Sequence, residues 1–310
     1  MSIIKKEIIN GFKFFYYDKQ WQRPVITEEQ TFNLFIKNKN LPCNYLAFPW
    51  AEVIDNKIDM KTFTSIFENF TVGNEPCCTV IQHKDFERVL KLCKHIGITH
   101  VFTPHKQIIL SKLQEQYKIQ ILGYPLYPVQ YNKNYAIKDM ASRKYFASFI
   151  GQYEKYYMSD IRVKIFDIFC KYPDCFVKKR DKWHYRDMVY HNAVNTDTKL
   201  EEEYKLNLAD TIFSLCPSGS GPNSIRIWES MSFGCIPVIL ADSLDLPDIK
   251  GLNYDDIFIT WPEKDIDILY EYLKTLEQDK LETMIKNNVD AFNKYFSKDT
   301  INSTIIDYFT

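Results

Sequence analysis

Apolar and polar positions alternate along this chain with two different periods. In the first half, FKFFYYD, YLAFPWAEVID, CCTVIQH, ITHVFTPH and IQILGYP are strand-sized apolar runs, and helical spacing falls between them over about residues 84–96 and 106–117. Phe86, Val89, Leu90 and Cys93 recur at three- and four-residue steps until Gly97 stops the pattern. ITHVFTPH and IQILGYP are continuous rather than alternating, as strands covered on both faces of a parallel sheet are. Over about residues 125–143 the chain turns polar and irregular, which places a domain boundary near residue 140. Beyond it, YFASFIG, CFVKKR, TIFSLCP, CIPVILAD and IFITWP read as strands, with helices over about 160–171, 198–208 and 223–233. The last fifth is helical, over about 264–276, 280–294 and 299–309. This order of elements predicts an α/β protein of two Rossmann-like halves, 1–140 and 141–310, with a ligand at the carboxyl ends of the strands.

Composition narrows the class. A length of 310 residues fits two domains at roughly 150 residues each, and 45% apolar with 25% charged residues excludes a disordered or fibrous chain. Thirty-nine Lys and Arg against 40 Asp and Glu leave no global field for nucleic acid or an anionic membrane, so any basic site is local. No apolar run approaches the ~18 residues of a membrane span, and the charged N-terminal stretch does not resemble a signal peptide. A soluble, cytoplasmic protein is expected, in which the sequons at Asn69 and Asn302 carry no weight. The eight cysteines show neither CxxC nor zinc spacing and are expected to be buried thiols.

Chemistry concentrates in residues 211–242, TIFSLCPSGSGPNSIRIWESMSFGCIPVILAD. An apolar strand runs into Pro217, Ser218, Gly219, Ser220 and Gly221, and the expected helix carries Pro222, Asn223 and Ser224 in its first turn. Small residues before a helix N-terminus allow close approach of an anion to free N–H groups and the positive dipole end. A phosphate loop of the hydrolase type is excluded because Pro222 stands where its lysine belongs. A dinucleotide fingerprint lacks its third glycine at Ser224. Arg226 and Glu229, three residues apart, share a helix face. Such a pair is either a surface ion pair or, beside an anion loop, a diphosphate clamp with an acceptor for ribose hydroxyls.

The run F-x-L-C-P-x-G-x-G-P-x-S-x-R-x-x-E-x-x-x-x-G-C-I-P-V-I-x-x-D, followed by Leu246 and Pro247, resembles the donor-binding signature of the exostosin-type glycosyltransferases. Upstream, Phe149, Gly151 and Arg162 are similar to that family's F-x-G strand and arginine-bearing helix. The resemblance implies two Rossmann-like domains facing across a cleft, the GT-B arrangement, with acceptor binding in 1–140 and donor binding in 141–310. It implies inverting transfer of a sugar from a nucleoside diphosphate sugar to a glycan or polysaccharide. Arg162 and Arg226 would hold the diphosphate with Ser218, Gly219, Ser220, Gly221, Asn223 and Ser224, and Glu229 the ribose. A UDP-linked donor is expected, although no residue singles out uracil. Many members carry arginine where Ser218 stands, so one phosphate contact is missing here or comes from elsewhere. Lys-, Asn- and Ile-rich usage points to a bacterial or viral source.

Arginines and a helix dipole can replace a metal at a leaving diphosphate. Asp265 and Asp267, two apart on an expected helix, point to different faces, and no metal site is expected. Inversion needs a general base near neutral pKa, expected from the first half: His105 at a strand end, with Glu52 and Asp55 as rivals. Trp21, Trp50, Trp183 and Tyr185 are candidates for stacking on an acceptor sugar. Lys178, Lys179, Arg180, Lys182 and Arg186 form either a solvated loop or a contact to an anion. Two other readings stay open: a non-catalytic nucleotide-sugar-binding partner of a glycan synthase, and a retaining transferase.

Overall fold

The computed structural model describes residues 4–55, 60–182 and 198–310. Its first sheet contains β1 (Lys5–Ile9), β2 (Phe12–Tyr16), β3 (Asn44–Ala47), β4 (Cys77–Val80), β5 (His100–Thr103) and β6 (Gln120–Gly123), side by side in chain order. β1 and β2 are antiparallel, and every later pairing is parallel. The hairpin follows from Asn10 and Gly11, both at positive φ (51° and 83°), the backbone that a tight Asn-Gly turn requires.

Successive residues of these strands feed opposite cores. Phe15, Leu46, Val101 and Ile121 pack on one face, and Phe14, Tyr45, Cys78 and Phe102 on the other. A period of two with both faces apolar produces the continuous runs seen in the sequence.

The second sheet comprises β7 (Tyr145–Gly151), β8 (Cys175–Lys179), β9 (Thr211–Pro217), β10 (Ile236–Leu240) and β11 (Ile259–Thr260), all parallel in the order β11-β10-β9-β7-β8. Phe149, Phe213, Leu215, Val238 and Leu240 line one core beneath it. The α/β reading holds, with the second sheet wholly parallel and the first parallel from β2 to β6.

Several expected elements change. YLAFPWAEVID is a strand only to Ala47; Pro49 has no N–H to continue a ladder, and Trp50–Ile54 is helical. The helices Thr27–Asn38 and Met60–Phe67 were not foreseen, the first because it buries Thr27, Glu28 and Thr31 beside Leu34 and Phe35, which blurs its apolar stripe. The helix expected at 106–117 begins only at Ser111. Residues 106–108 are held instead by a later segment: Ile108 N donates to Ser243 O at 3.1 Å and Asp245 N to Lys106 O at 3.1 Å.

The chain forms two compact units, and their division differs from 1–140 and 141–310. One unit holds the chain up to Tyr127 with Ser243–Gly251 and Lys298–Thr310; the other holds Pro128–Asp242 and Leu252–Ser297. The polar stretch after Tyr127 belongs to the second unit because Gln130 N donates to Glu229 Oε1 at 2.8 Å and Asn132 N to Ser232 Oγ at 2.8 Å. The terminal helix Ser303–Phe309 belongs to the first, where Ile301 and Ile305 are fully buried with Phe102 and Tyr124. Cys170 is exposed and Cys175 half-buried, unlike the other six thiols, so not every cysteine is buried as expected. No helix among the described residues is long and apolar enough to cross a membrane.

Candidate functional site

The loop after β9 is anchored at its start, where Ser218 N donates to Leu240 O at 2.9 Å, and folds back so that Gly219 N reaches Gly221 O at 3.0 Å. The helix begins at Ile225, and Ser224, extended at φ −105° and ψ 128°, caps it. Pro222 and Asn223 therefore precede the first turn instead of forming it. Asn223 is buried and its Oδ1 accepts from Trp228 Nε1 at 3.1 Å, so it braces the helix. Ser220 is the exposed residue of the loop, and Ser224 is half-buried. Gly219 lies against an arginine: a Cβ there would lie 2.8 Å from Arg162 Nη2, so the guanidinium would have to shift.

Two arginines converge behind this loop. Arg162, on the helix Ile161–Phe169, donates from Nε to Ser218 O at 2.8 Å and from Nη1 to Gln152 O at 3.0 Å. Arg226 donates from Nη2 to Ile150 O, while its buried Nε and Nη1 find no hydrogen-bond partner among the described residues. The Phe149 ring lies 5.6 Å from the Arg162 guanidinium carbon and 4.6 Å from that of Arg226, and Tyr204 lies 5.3 Å from the latter. Burial and the nearby Arg226 charge pull Arg162 down to about 10. Their hydrogen bonds thus go to carbonyl oxygens and their charges rest on aromatic faces. Buried cations are ordinarily met by an anion, and this pair is arranged to receive one.

Glu229 sits in the same unit, 2% exposed, and does not form a surface pair with Arg226. Its carboxylate accepts from Gln130 N at 2.8 Å, from Tyr204 Oη at 2.8 Å and from Val129 N. That occupies three of about four acceptor positions. Burial raises it from 4.5 to about 7 against the lowering effect of these donors. The fold therefore binds a proton that the unfolded chain has released. The associated stability, roughly 3 kcal/mol, is fully present below about 4.5 and lost as pH rises through about 7. Melting temperature is expected to fall less between pH 4.5 and 7 in Glu229→Gln than in the parent; superimposable profiles would contradict the buried carboxyl.

Glu263, half-buried just past β11, gave no sequence signal: Ser218 Oγ donates to its Oε1 at 3.1 Å, and its own N–H donates to Asp242 Oδ1 at 2.9 Å.

The three expected bases all lie in the first unit, near the carboxyl ends of its strands. His105 is 9% exposed, its Nδ1 has no partner among the described residues, and burial with the nearby His83 and Lys84 pulls it down to about 3. Glu52 is buried in Trp50–Ile54. Asp55, which ends that helix with its side chain 26% exposed, accepts from Gln22 Nε2 at 2.7 Å and pairs with His83 Nε2 at 3.0 Å. His83 Nδ1 accepts from Asp85 N at 3.0 Å, which sets the tautomer that donates to Asp55. Sequence reading missed Glu28, fully buried, which accepts from Gln82 N at 2.9 Å and Ala51 N at 3.4 Å. Burial, with Glu52 and Asp55 close by, pushes its pKa well above the carboxylate range.

Of the other candidates, Trp50 and Trp21 pack on neighbouring rings. Trp50 is fully buried, stacked on Phe67 and donating to Thr79 Oγ1 at 2.8 Å, so it presents no face to a sugar. Trp21 packs on Phe32 at 5.7 Å. Trp183, Tyr185 and Arg186 lie outside the described residues. Lys178 and Arg180 pair with Glu203 on the helix Thr198–Ala209, and Lys179 is exposed. Asp265 and Asp267 fall in a 3-10 turn. Two surface hollows, about 260 Å³ beside Asp279 and about 560 Å³ beside Lys199, include no residue of the glycine–serine loop.

A family model described as Exostosin GT47 domain matches residues 100–276. Over 87 residues the chain is 36% identical to the probable glucuronoxylan glucuronosyltransferase IRX7 of Arabidopsis thaliana, covering 28% of this chain and 19% of that protein. Over 73 residues it is 40% identical to the probable beta-1,4-xylosyltransferase IRX10L of the same plant, covering 24% and 18%. The chain thus spans less than a fifth of the length of these curated relatives. The crystal structure of the pneumococcal O-GlcNAc transferase GtfA in complex with UDP and GlcNAc aligns at 12% identity and a TM-score of 0.43, over 99% of this chain and 69% of that one.

Proposed function

We propose that this chain, which belongs to the Exostosin GT47 domain family, is a glycosyltransferase that moves a sugar from a nucleoside diphosphate donor to a hydroxyl of a glycan or polysaccharide. One observation carries the reading: the buried Arg226 guanidinium, with Nε and Nη1 unpaired among the described residues, beside Arg162 and the glycine–serine loop. Two fixed cations there oppose the charge that develops on a departing diphosphate, and a preorganised charge acts most strongly where water is excluded. The relatives' names, a glucuronosyl- and a xylosyltransferase, agree with that chemistry.

In the proposed reaction the acceptor oxygen attacks the anomeric carbon, the bond from that carbon to the phosphate oxygen breaks, and the acceptor proton passes to a base. A single displacement of this kind inverts the anomeric centre. The second unit takes the donor, with the diphosphate on Arg162, Arg226 and the loop, and the ribose on the remaining acceptor position of Glu229. The first unit takes the acceptor and supplies the base. Asp55 is proposed over His105 and Glu52, because it is the more exposed carboxylate and two donors fix its orientation. Charge on the leaving phosphate is met by the arginines without a bound metal ion.

The test is a thermal-shift screen of the chain against UDP, GDP, CDP and TDP, with and without chelator, followed by an assay for transfer and product anomer. Stabilisation by UDP that persists in chelator is expected, about 2.7 kcal/mol at a hundredfold excess over Kd. Stabilisation by none of the four removes the donor-site reading and favours a non-catalytic chain. Loss in chelator that magnesium or manganese restores overturns the metal-free part, and a retained anomer overturns inversion.

A further inference from the structure

The glycine–serine loop lies at the end of the middle strand of its sheet, β9, and the two sides of that sheet offer opposite chemistry. Toward β7 stand rings and cations: Phe149, Arg162 with Tyr157 4.8 Å from its guanidinium carbon, and Arg226 with Tyr204. Toward β10 and β11 stand carboxylates: Asp242, two residues past β10, and Glu263, three residues past β11. A nucleotide sugar has the matching polarity, a flat aromatic base at one end, a diphosphate in the middle and a hydroxyl-rich ring at the other. Phe149 and Tyr204 are buried and Tyr157 is half-buried, so with the diphosphate on the loop Tyr157 suits the base and the acidic side the sugar.

We infer that Glu263, supported by Ser218 and Asp242, reads the hydroxyls of the transferred sugar and restricts the donor to neutral sugars, excluding uronates. This rests on the nucleotide-sugar reading above and narrows its substrate class. Glu263 is held in place rather than free to swing: Ser218 Oγ donates to Oε1 at 3.1 Å, the Ser159 hydroxyl also bonds the carboxylate, and the backbone N–H is tied to Asp242 Oδ1 at 2.9 Å. Ser218 and Ser159 are themselves 3.3 Å apart through their hydroxyls. Burial, and to a smaller degree the acidic neighbours Asp242 and Asp160, raises its pKa. An ionised carboxylate only accepts, so it matches sugar O–H donors. A uronate brought to the same place adds a further negative charge where like charges already oppose one another, and such juxtaposition is a strong means of rejecting a wrong ligand.

The experiment measures binding of UDP, UDP-glucose, UDP-xylose and UDP-glucuronate to the chain and to Glu263→Gln, by calorimetry. The expected result is that UDP-glucose or UDP-xylose binds at least about tenfold more tightly than UDP-glucuronate, and that Glu263→Gln brings the ratio below about threefold by gaining affinity for the uronate, the scale of one like-charge contact. If Glu263→Gln melts early, Ser218→Ala, which loosens Glu263 without changing charge, is expected to lower the ratio as well. UDP binding accompanied by equal or tighter binding of UDP-glucuronate overturns the inference and leaves the donor site standing. A ratio unchanged in both folded variants also overturns it. Failure of UDP and all three sugar nucleotides to bind sinks the UDP-donor reading itself, and the inference with it.

Discussion

Arg226→Ala is expected to weaken nucleoside diphosphate binding by about 1.5–3 kcal/mol, roughly 10- to 150-fold, the scale of a charge-assisted hydrogen bond. The expectation follows from what the guanidinium does with its donors. One of them, Nη2, reaches Ile150 O and fixes the side chain, while Nε and Nη1 are buried without partners among the described residues. The Phe149 ring at 4.6 Å and the Tyr204 ring at 5.3 Å stabilise the cation but leave its N–H groups in the plane for a ligand. Arg226→Lys should recover only part of the loss, because a point charge cannot reproduce the planar fork. Since Arg226 also ties down β7 through Ile150, each variant needs a melting curve beside its titration. Unchanged affinity in a folded Arg226→Ala protein would remove the diphosphate from this place. The same titration on Arg162→Ala distinguishes a two-arginine clamp from a single contact.

Asp55→Asn should lower kcat by about 10²- to 10⁴-fold with little change in donor affinity, as removal of a general base does. Glu28, Glu52 and Asp55 gather with His83 and His105 in this part of the first unit, and burial sorts them. Glu28 is pushed well up, and His105 is drawn down to about 3, which leaves the ring neutral but a weak base. Glu52 is buried. Asp55 keeps contact with solvent and is oriented from two sides, by Gln22 Nε2 at 2.7 Å and by His83 Nε2 at 3.0 Å. His83→Ala is then expected to lower kcat less than Asp55→Asn does, since it acts by orienting. A normal kcat in Asp55→Asn, together with a collapse in His105→Asn, would transfer the role to His105.

Much of the candidate site was legible because its parts are neighbours in sequence. Ser218, Gly219, Arg226 and Glu229 fall within one strand, one loop and one helix, so strand pattern, small-residue loop and helical spacing together located them. Even there, local reading placed the helix start too early: Pro222 and Asn223 looked like a first turn, but Ser224 is extended at φ −105° and ψ 128°, so the helix begins at Ile225. Glu229 was legible as an acceptor, yet its burial by residues 128–130 was not, because that contact spans about a hundred residues. Glu263, Glu28, His83 and Gln22 left no pattern at all. Each is an isolated polar residue whose significance comes from a partner far away in the chain.

The sequence by itself determined the two α/β sheets with their parallel strands, the glycine–serine loop after β9 and the arginine on the helix that follows. These depend on periodicity and on short-range backbone preferences, and such preferences are written locally. Only the tertiary structure decided where one unit ends and the other begins, which carboxylates are buried, and which arginine donors lack partners among the described residues. Those properties depend on dielectric surroundings and on contacts across long sequence separations. The terminal helix shows the difference: its apolar period predicts a helix over 299–309, but packing of Ile301 and Ile305 against Phe102 and Tyr124 is what assigns it to the first unit.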